Sequence, residues 1–172
     1  QHEFKMPRHS HYILHDELQG FDVFRYTDIN YVFSGDDTRR ITFRLVFCKN
    51  ESDNNILYKL FGDELITLTI SVISFYNIDA ENNKECDTMF EKPPGAPDLT
   101  ASEALYLYST LVDIILRIAE TEDIRILTFQ AYSEELRRIY DKLVRRYAAA
   151  RNLDTHIEGA CYVIRTDNEE KH

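Results

Sequence analysis

Between Leu18 and Cys48 apolar and polar residues alternate along the chain. The stretch FDVFRYTDINYVF sets Phe21, Val23 and Arg25 on one side and changes phase near Tyr26. RITFRLVF sets Ile41, Phe43, Leu45 and Phe47 against Arg40, Thr42, Arg44 and Val46. A period of two with aromatic and β-branched residues predicts half-buried strands. SGDD, Ser34 to Asp37, is a turn signal between them, so the pair predicts an antiparallel hairpin. KNESDNN then predicts a loop, and ILYKLFG fits a helical turn or a strand equally well. ELITLTISVISFYNI is nearly apolar on both sides, which predicts a central strand covered on both faces.

From residue 79 to 97 the pattern breaks into a polar, acidic run ending in KPPGAP, an irregular loop by its length and prolines. PDLTASEALYLYSTLVDIILRIAETED then carries Leu105, Tyr108, Leu111, Val112, Ile115, Ile118 and Ala119 at helical spacing. Thr100 followed by Glu103 is a capping-box pattern at its start. IRILTFQA predicts a strand, SEELRRIYDKLVRRYAAARN a second long helix and ACYVIRT a last strand. The expected fold class is α/β (α+β). It has a mixed central sheet, with antiparallel N-terminal strands followed by strand-helix-strand-helix-strand, in one domain over 18–168.

In the second helix Leu136, Ile139, Tyr140, Leu143, Val144 and Tyr147 make one apolar stripe. Ser133 suits the N-cap, Glu134 and Glu135 the first turn, and Arg145, Arg146 and Arg151 the last. Glu134 to Arg138 and Asp141 to Arg145 are i,i+4 pairs worth about 0.2–0.5 kcal/mol each. Solvent and acidic neighbours thus account for the bases of this helix without a ligand. The sharper alternative is an anionic ligand or acidic partner docked across Arg138, Lys142, Arg145 and Arg146.

The whole chain has 172 residues, 44% of them hydrophobic and 12% aromatic, enough to build a real core. Thirty acids against twenty bases give a formal charge of −10, which argues against nucleic acid or an anionic membrane as the main partner. An acidic inhibitor that mimics nucleic acid is a further alternative, although acids and bases alternate almost everywhere. Cys48, Cys86 and Cys161 are far apart and show no zinc spacing, so no metal is expected and a reduced, cytoplasmic protein is. His9, His11 and His15 lack a nearby pair of carboxylates or cysteines on a firm element and fall in residues 1–17, expected to be flexible. Gln1 to Lys5 reads as a cloning remnant, with Met6 a plausible native start. Asp113 and Arg117 interrupt the apolar run around Ile114 to Ile118, and no membrane span is expected. Cys161 lies in an apolar strand near His156 and Glu158, where a packed thiol is the simpler expectation than a nucleophile. Tyr106, Tyr108 and Tyr132 fit either a partner surface or the core.

The order of elements resembles the GNAT acyltransferase superfamily from about Phe21 to Thr166. Many of its enzymes carry, after their fifth strand, a helix with an alanine-rich register ending in Leu-Tyr. Ile139-Tyr140 stands at that place, after IRILTFQA. The resemblance implies Tyr140 as general acid towards the coenzyme A thiolate, since the leaving sulfur needs a proton. The block YSTLVDIILRIAETEDIRILTFQAYSEELRRIYDKLVRRYA looks most like the GNAT-like proteins of phages and mobile elements, which as a group lack an established enzymatic role.

GNAT enzymes hold the coenzyme pyrophosphate on a glycine-rich turn at the start of the first long helix, where free N–H groups approach phosphate. Here that place reads PPGAPDLTASEA. Only Gly95 is available, Pro93, Pro94 and Pro97 have no N–H, and Asp98 and Glu103 repel phosphate. The expectation is therefore a GNAT-like protein without acetyl transfer and without a cofactor. It would act through an unknown protein partner, or as a homo-oligomer. The alternative is a divergent acyltransferase that uses acetyl-CoA and Tyr140.

Overall fold

The strands are β1 (Arg8–Ile13), β2 (Gln19–Phe21), β3 (Phe24–Ser34), β4 (Arg39–Lys49), β5 (Ile70–Asn77), β6 (Ile126–Gln130), β7 (Asp154–Glu158) and β8 (Cys161–Arg165). The helices are α1 (Asn55–Phe61), α2 (Ala101–Thr121) and α3 (Glu134–Lys142). This is a computed structural model that describes residues 8–21, 23–35, 37–49, 55–80 and 98–166. The strands form an open, mostly antiparallel mixed sheet in the order β1-β3-β4-β5-β6-β8-β7, with β2 paired to β3. The chain sorts into two compact units, Gln1–Val46 with Phe75–Tyr108 and Phe47–Ser74 with Ser109–His172.

In the first unit β1 runs antiparallel to β3, from Arg8↔Ser34 to Ile13↔Ile29. Residues 8–13 were expected to be flexible and instead form a strand. The reason lies in the histidines, which behave as aromatic rings. His9 packs edge-on against Phe33 (5.6 Å) and tilted against Tyr106 (5.2 Å). His11 lies 5.6 Å from the Tyr106 ring, and its Nδ1 is 2.6 Å from the Tyr106 hydroxyl. Counted as polar, these residues hide a period of two. Ile41, Leu45 and Phe47 of β4 are buried, as the alternation predicts, with Phe43 half-buried; in β3 the buried set is Ile29, Tyr31 and Phe33, whereas Phe21 and Val23 before it are exposed. On the opposite side of the strands Arg44 holds Asp28 with two bonds, 2.8 and 3.0 Å, and stacks 4.3 Å over Tyr26. A two-bond guanidinium–carboxylate contact satisfies a carboxylate that is almost wholly buried.

The capping box forms at the head of α2. Glu103 N–H donates to Thr100 Oγ1 at 3.2 Å, and Thr100 N–H donates to Glu103 Oε1 at 2.9 Å. Leu111, Val112, Ile115 and Ala119 are buried, as the spacing predicts, and the helix departs from expectation at its start. Leu105 is exposed, and the buried row is Glu103, Leu107, Leu111, Ile115 and Ala119. A capping-box carboxylate that is itself buried sets this row, so the apolar tally alone misplaces its start.

In the second unit β5 and β6 are parallel over Ile70↔Ile126, Ser71↔Leu127 and Val72↔Thr128. β8 is antiparallel to both β6 and β7. ILYKLFG resolves as α1. Gly62–Thr67 is a 3-10 turn, so the strand expected from Glu64 begins at Ile70. Burial on both faces falls on β6 and β8, while β5 alternates. The cause is packing from two directions. Leu57 of α1 joins a cluster with Cys161 and Val163, while Tyr140 packs on Tyr162 at 6.0 Å. Successive β8 residues therefore meet different helices. β7 was not expected; its sequence DTHIE exposes Asp154, His156 and Glu158 and carries little apolar signal. The expected loop at 79–97 lies almost wholly outside the described residues, beyond a short 3-10 turn at Ile78–Ala80.

Candidate functional site

The second long helix begins as the sequence predicts. Ser133 Oγ accepts the Leu136 N–H at 3.2 Å. Leu136, Tyr140, Leu143 and Val144 are buried, with Ile139 and Tyr147 half-buried. After Lys142 the winding changes. Leu143–Ala148 is π-helical, and a 3-10 turn over Ala149–Arg151 leads to Asn152 in the left-handed region at φ 56°. Ala148 is fully buried by this change, which periodicity did not foresee.

The winding also affects the outer face. In an α-helix each four-residue step overshoots a full turn by about 40°. A π-helical step turns less per residue. The wider winding over Leu143–Ala148 reduces the drift of Arg146 from the line of Arg138 and Lys142. The side chains of these three residues have no hydrogen-bond or ion-pair partner among the described residues. Arg145, the fourth candidate, is different, because its Nε lies 3.1 Å from both Asp141 carboxylate oxygens. The expected Glu134–Arg138 pair does not form. Glu134 instead lies 3.9 Å from Arg137, whose Nη2 donates to Gly159 O at 3.1 Å.

Arg138 and Lys142 line a shallow groove of about 350 Å³ with Glu134, Arg137 and Asp141. The structure thus brings two of the four sequence candidates into one depression and adds Glu134, Arg137 and Asp141, none of which the sequence analysis placed at a site. Their signal was available, since each lies one, three or four positions from a candidate on the same helix. The groove mixes three cations with two carboxylates, which suits a polar contact that combines charge attraction with hydrogen bonding.

Tyr140 lies beneath this surface with 1% of its area exposed, its ring 5.3 Å from Phe129. Tyr162 Oη donates to Arg137 O at 3.2 Å. Burial, reinforced by the Asp141 charge, pushes the Tyr162 phenol above its ordinary value despite that bond and the nearby arginines. Burial likewise pushes the Cys161 thiol up, against the opposing effect of the Gln130 amide 3.2 Å from Sγ. A thiol kept protonated is a poor nucleophile. Tyr106 and Tyr108 belong to the aromatic packing of the first unit, whereas Tyr132 is largely exposed.

Among the described residues no three or more His, Cys, Asp or Glu side chains are grouped to hold a metal ion. No helix among them is long and apolar enough to cross a membrane. Pro93, Pro94, Gly95 and Pro97 lie outside the described residues. No protein-family model, curated protein or solved structure matches the chain.

Proposed function

We propose that this chain is a GNAT-like protein that acts by binding another protein, and that the partner sets acidic groups on Arg138, Lys142 and Arg146. The observation that carries this is that these three cations of one helix have no partner among the described residues, in a chain with ten more acids than bases. Glu134 and Asp141 lie in the same groove, yet their printed pairings go to Arg137 and Arg145 and not to these three cations. Guanidinium groups free of internal partners can meet carboxylates with two parallel bonds. Support for the GNAT-like part comes from the strand order and its parallel β5–β6 pair, with α2 between them in sequence. Support for binding without acyl transfer comes from the proline-rich PPGAPDLTASEA, where a phosphate cradle needs glycines.

The test uses the full chain as bait in extract of its source cells, beside Arg138→Glu/Lys142→Glu/Arg146→Glu. A protein retained by the parent, released by salt and lost with the variant supports the proposal. Equal capture by both overturns it.

Acyl transfer from acetyl-CoA, with Tyr140 as proton donor, is the second reading. It is favoured by the end of β5–β6 pairing at Val72↔Thr128 and by Thr128 Oγ1, a buried atom with no hydrogen-bond partner among the described residues. Polar atoms in that state commonly await a partner. Saturable acetyl-CoA binding in calorimetry, with acyl transfer lost in Tyr140→Phe, would replace the first reading by this one.

A further inference from the structure

β7 ends the sheet beyond β8, and among the described residues no strand pairs with its other side. Two bonds near β8 fix which of its backbone groups face outward. Ala131 N–H donates to Ala160 O and Thr166 N–H donates to Arg125 O, both at 2.9 Å. Ala160 and Thr166 therefore turn their backbone to the β6 side. Backbone direction alternates along an antiparallel strand. Tyr162 and Ile164 turn the same way, and Cys161, Val163 and Arg165 turn towards β7. Their partners Glu158, His156 and Asp154 turn back to them. Thr155 and Ile157 direct their N–H and C=O groups to the open edge, where they have no partner among the described residues.

The side chains of the same strand sort by face. Asp154, His156 and Glu158 are exposed on one face. The Asp154 carboxylate has no partner among the described residues. Glu158 lies 3.5 Å from Lys59, in a solvent-exposed ion pair that contributes little. Thr155 and Ile157 are half-buried on the other face, beside Ile164 and Tyr162 of β8. Tyr162 in turn packs on Tyr140.

An open edge invites any strand, a copy of itself included. Here the acids select among them. In an antiparallel pair of two β7 strands centred on His156, Asp154 would face Glu158 at both ends, and like charges directly opposite destabilise the pair. A strand with cations at those two places meets opposite charges instead. The formal charge of −10 also draws a basic segment towards the chain.

We infer that β7 is a docking edge for a basic extended segment of another protein, added antiparallel as a further strand. Thr155 and Ile157 each exchange both backbone bonds with the residue opposite. The guest residues opposite Glu158 and Asp154 are lysine or arginine. Those opposite Ile157 and Thr155 are apolar and continue the face of Tyr162. Backbone bonds supply affinity in such strand addition, and alternate side chains supply choice. This edge shares no residue with the cations of α3, so either surface can fail alone.

The test is a titration of the isotope-labelled full chain with two capped peptides, read by nuclear magnetic resonance. The peptides are Gly-Lys-Val-Thr-Val-Lys-Gly and Gly-Glu-Val-Thr-Val-Glu-Gly. The lysine peptide should move the amide signals of Thr155 and Ile157 saturably, and salt should weaken it. It should bind this edge about tenfold more tightly than the glutamate peptide. Thr155→Pro removes an outward N–H and none of the bonds to β8, and it should abolish binding of the lysine peptide. Because a proline can disturb folding, Asp154→Lys/Glu158→Lys serves as a second variant. With a circular dichroism spectrum like the parent's, it should prefer the glutamate peptide at the same two amides. Equal affinity of the two peptides for the parent overturns the inference, as does a preference that survives in the lysine variant. Binding that leaves Thr155 and Ile157 unmoved overturns it as well.

Discussion

Arg39 grips Glu103 with both terminal guanidinium nitrogens, Nη1 donating to Oε1 at 2.8 Å and Nη2 to Oε2. The same carboxylate closes the capping box on Thr100. The two partners differ in burial, with side-chain exposures of 30% for Arg39 and 3% for Glu103. Removing them should therefore have unequal effects. Arg39→Ala leaves a buried carboxylate without its cation, with an expected loss of about 3 kcal/mol, the low end for a broken buried pair. Glu103→Ala leaves an arginine that water can reach and removes one cap, with an expected loss of about 1–2 kcal/mol. Urea unfolding of both variants and the double variant measures the difference and the coupling.

The same pair makes stability depend on pH. Burial pushes the Glu103 carboxyl up, but the Arg39 hydrogen bonds, the Thr100 N–H and the Arg39 charge outweigh it and hold it below the usual carboxylate range. A depressed folded value means that the unfolded chain takes up the proton first as pH falls. The contribution is complete above the unfolded value of about 4.3 and is lost as pH drops through the folded value. Unfolding free energies measured from pH 6 to pH 3 should fall less steeply in Glu103→Ala than in the parent. Parallel curves would show that Glu103 titrates as in the unfolded chain.

Arg138, Lys142 and Arg146 should matter little to the fold. Substituting all three with alanine should change unfolding free energy by less than about 0.5 kcal/mol per site. Tyr140→Ala, by contrast, empties a buried aromatic site and should lose about 3–5 kcal/mol. Thermal unfolding of the two variants side by side separates a surface kept for contact from a residue kept for packing. A large loss in the triple variant would show that the cations serve the helix itself.

Gly20 adopts φ +99°, and a Cβ there would lie 2.4 Å from Phe24 O. Gly20→Ala should lose more than about 1 kcal/mol, because both strain and contact oppose it. Gly159, at φ +61°, has no atom near a Cβ. Gly159→Asn should be much milder, since asparagine tolerates left-handed backbone. Equal losses in denaturant titrations would contradict this contrast.

Sequence patterns predicted the parts of this fold whose signals are local. Ser133 and Thr100 were identified as caps because capping needs only one residue type at one spacing. The stripe from Leu136 to Val144 was legible because burial on one side enforces a period. β1 and β7 were missed because edge strands need no continuous apolar face, and imidazole rings in β1 took the place of aliphatic residues. Two-sided burial was assigned to β5 although it belongs to β6 and β8, since helix placement, not local composition, decides which strand is covered twice. At the site, the four cations were visible in sequence. That Arg145 is paired and the other three are not depends on side-chain geometry, which spacing alone does not determine.

The π-helical stretch over Leu143–Ala148 bears on how this surface can be copied. A synthetic peptide spanning Ser133 to Asn152 lacks the packing that buries Ala148, and free in water it gains nothing from the wider winding. Relaxed to ordinary helix, it would carry Arg146 round the cylinder and away from Arg138. The peptide would keep every side chain of the face in a different arrangement, so it is expected to compete poorly for the acidic partner proposed for this surface. A mimic of this face has to be stapled in the wider winding.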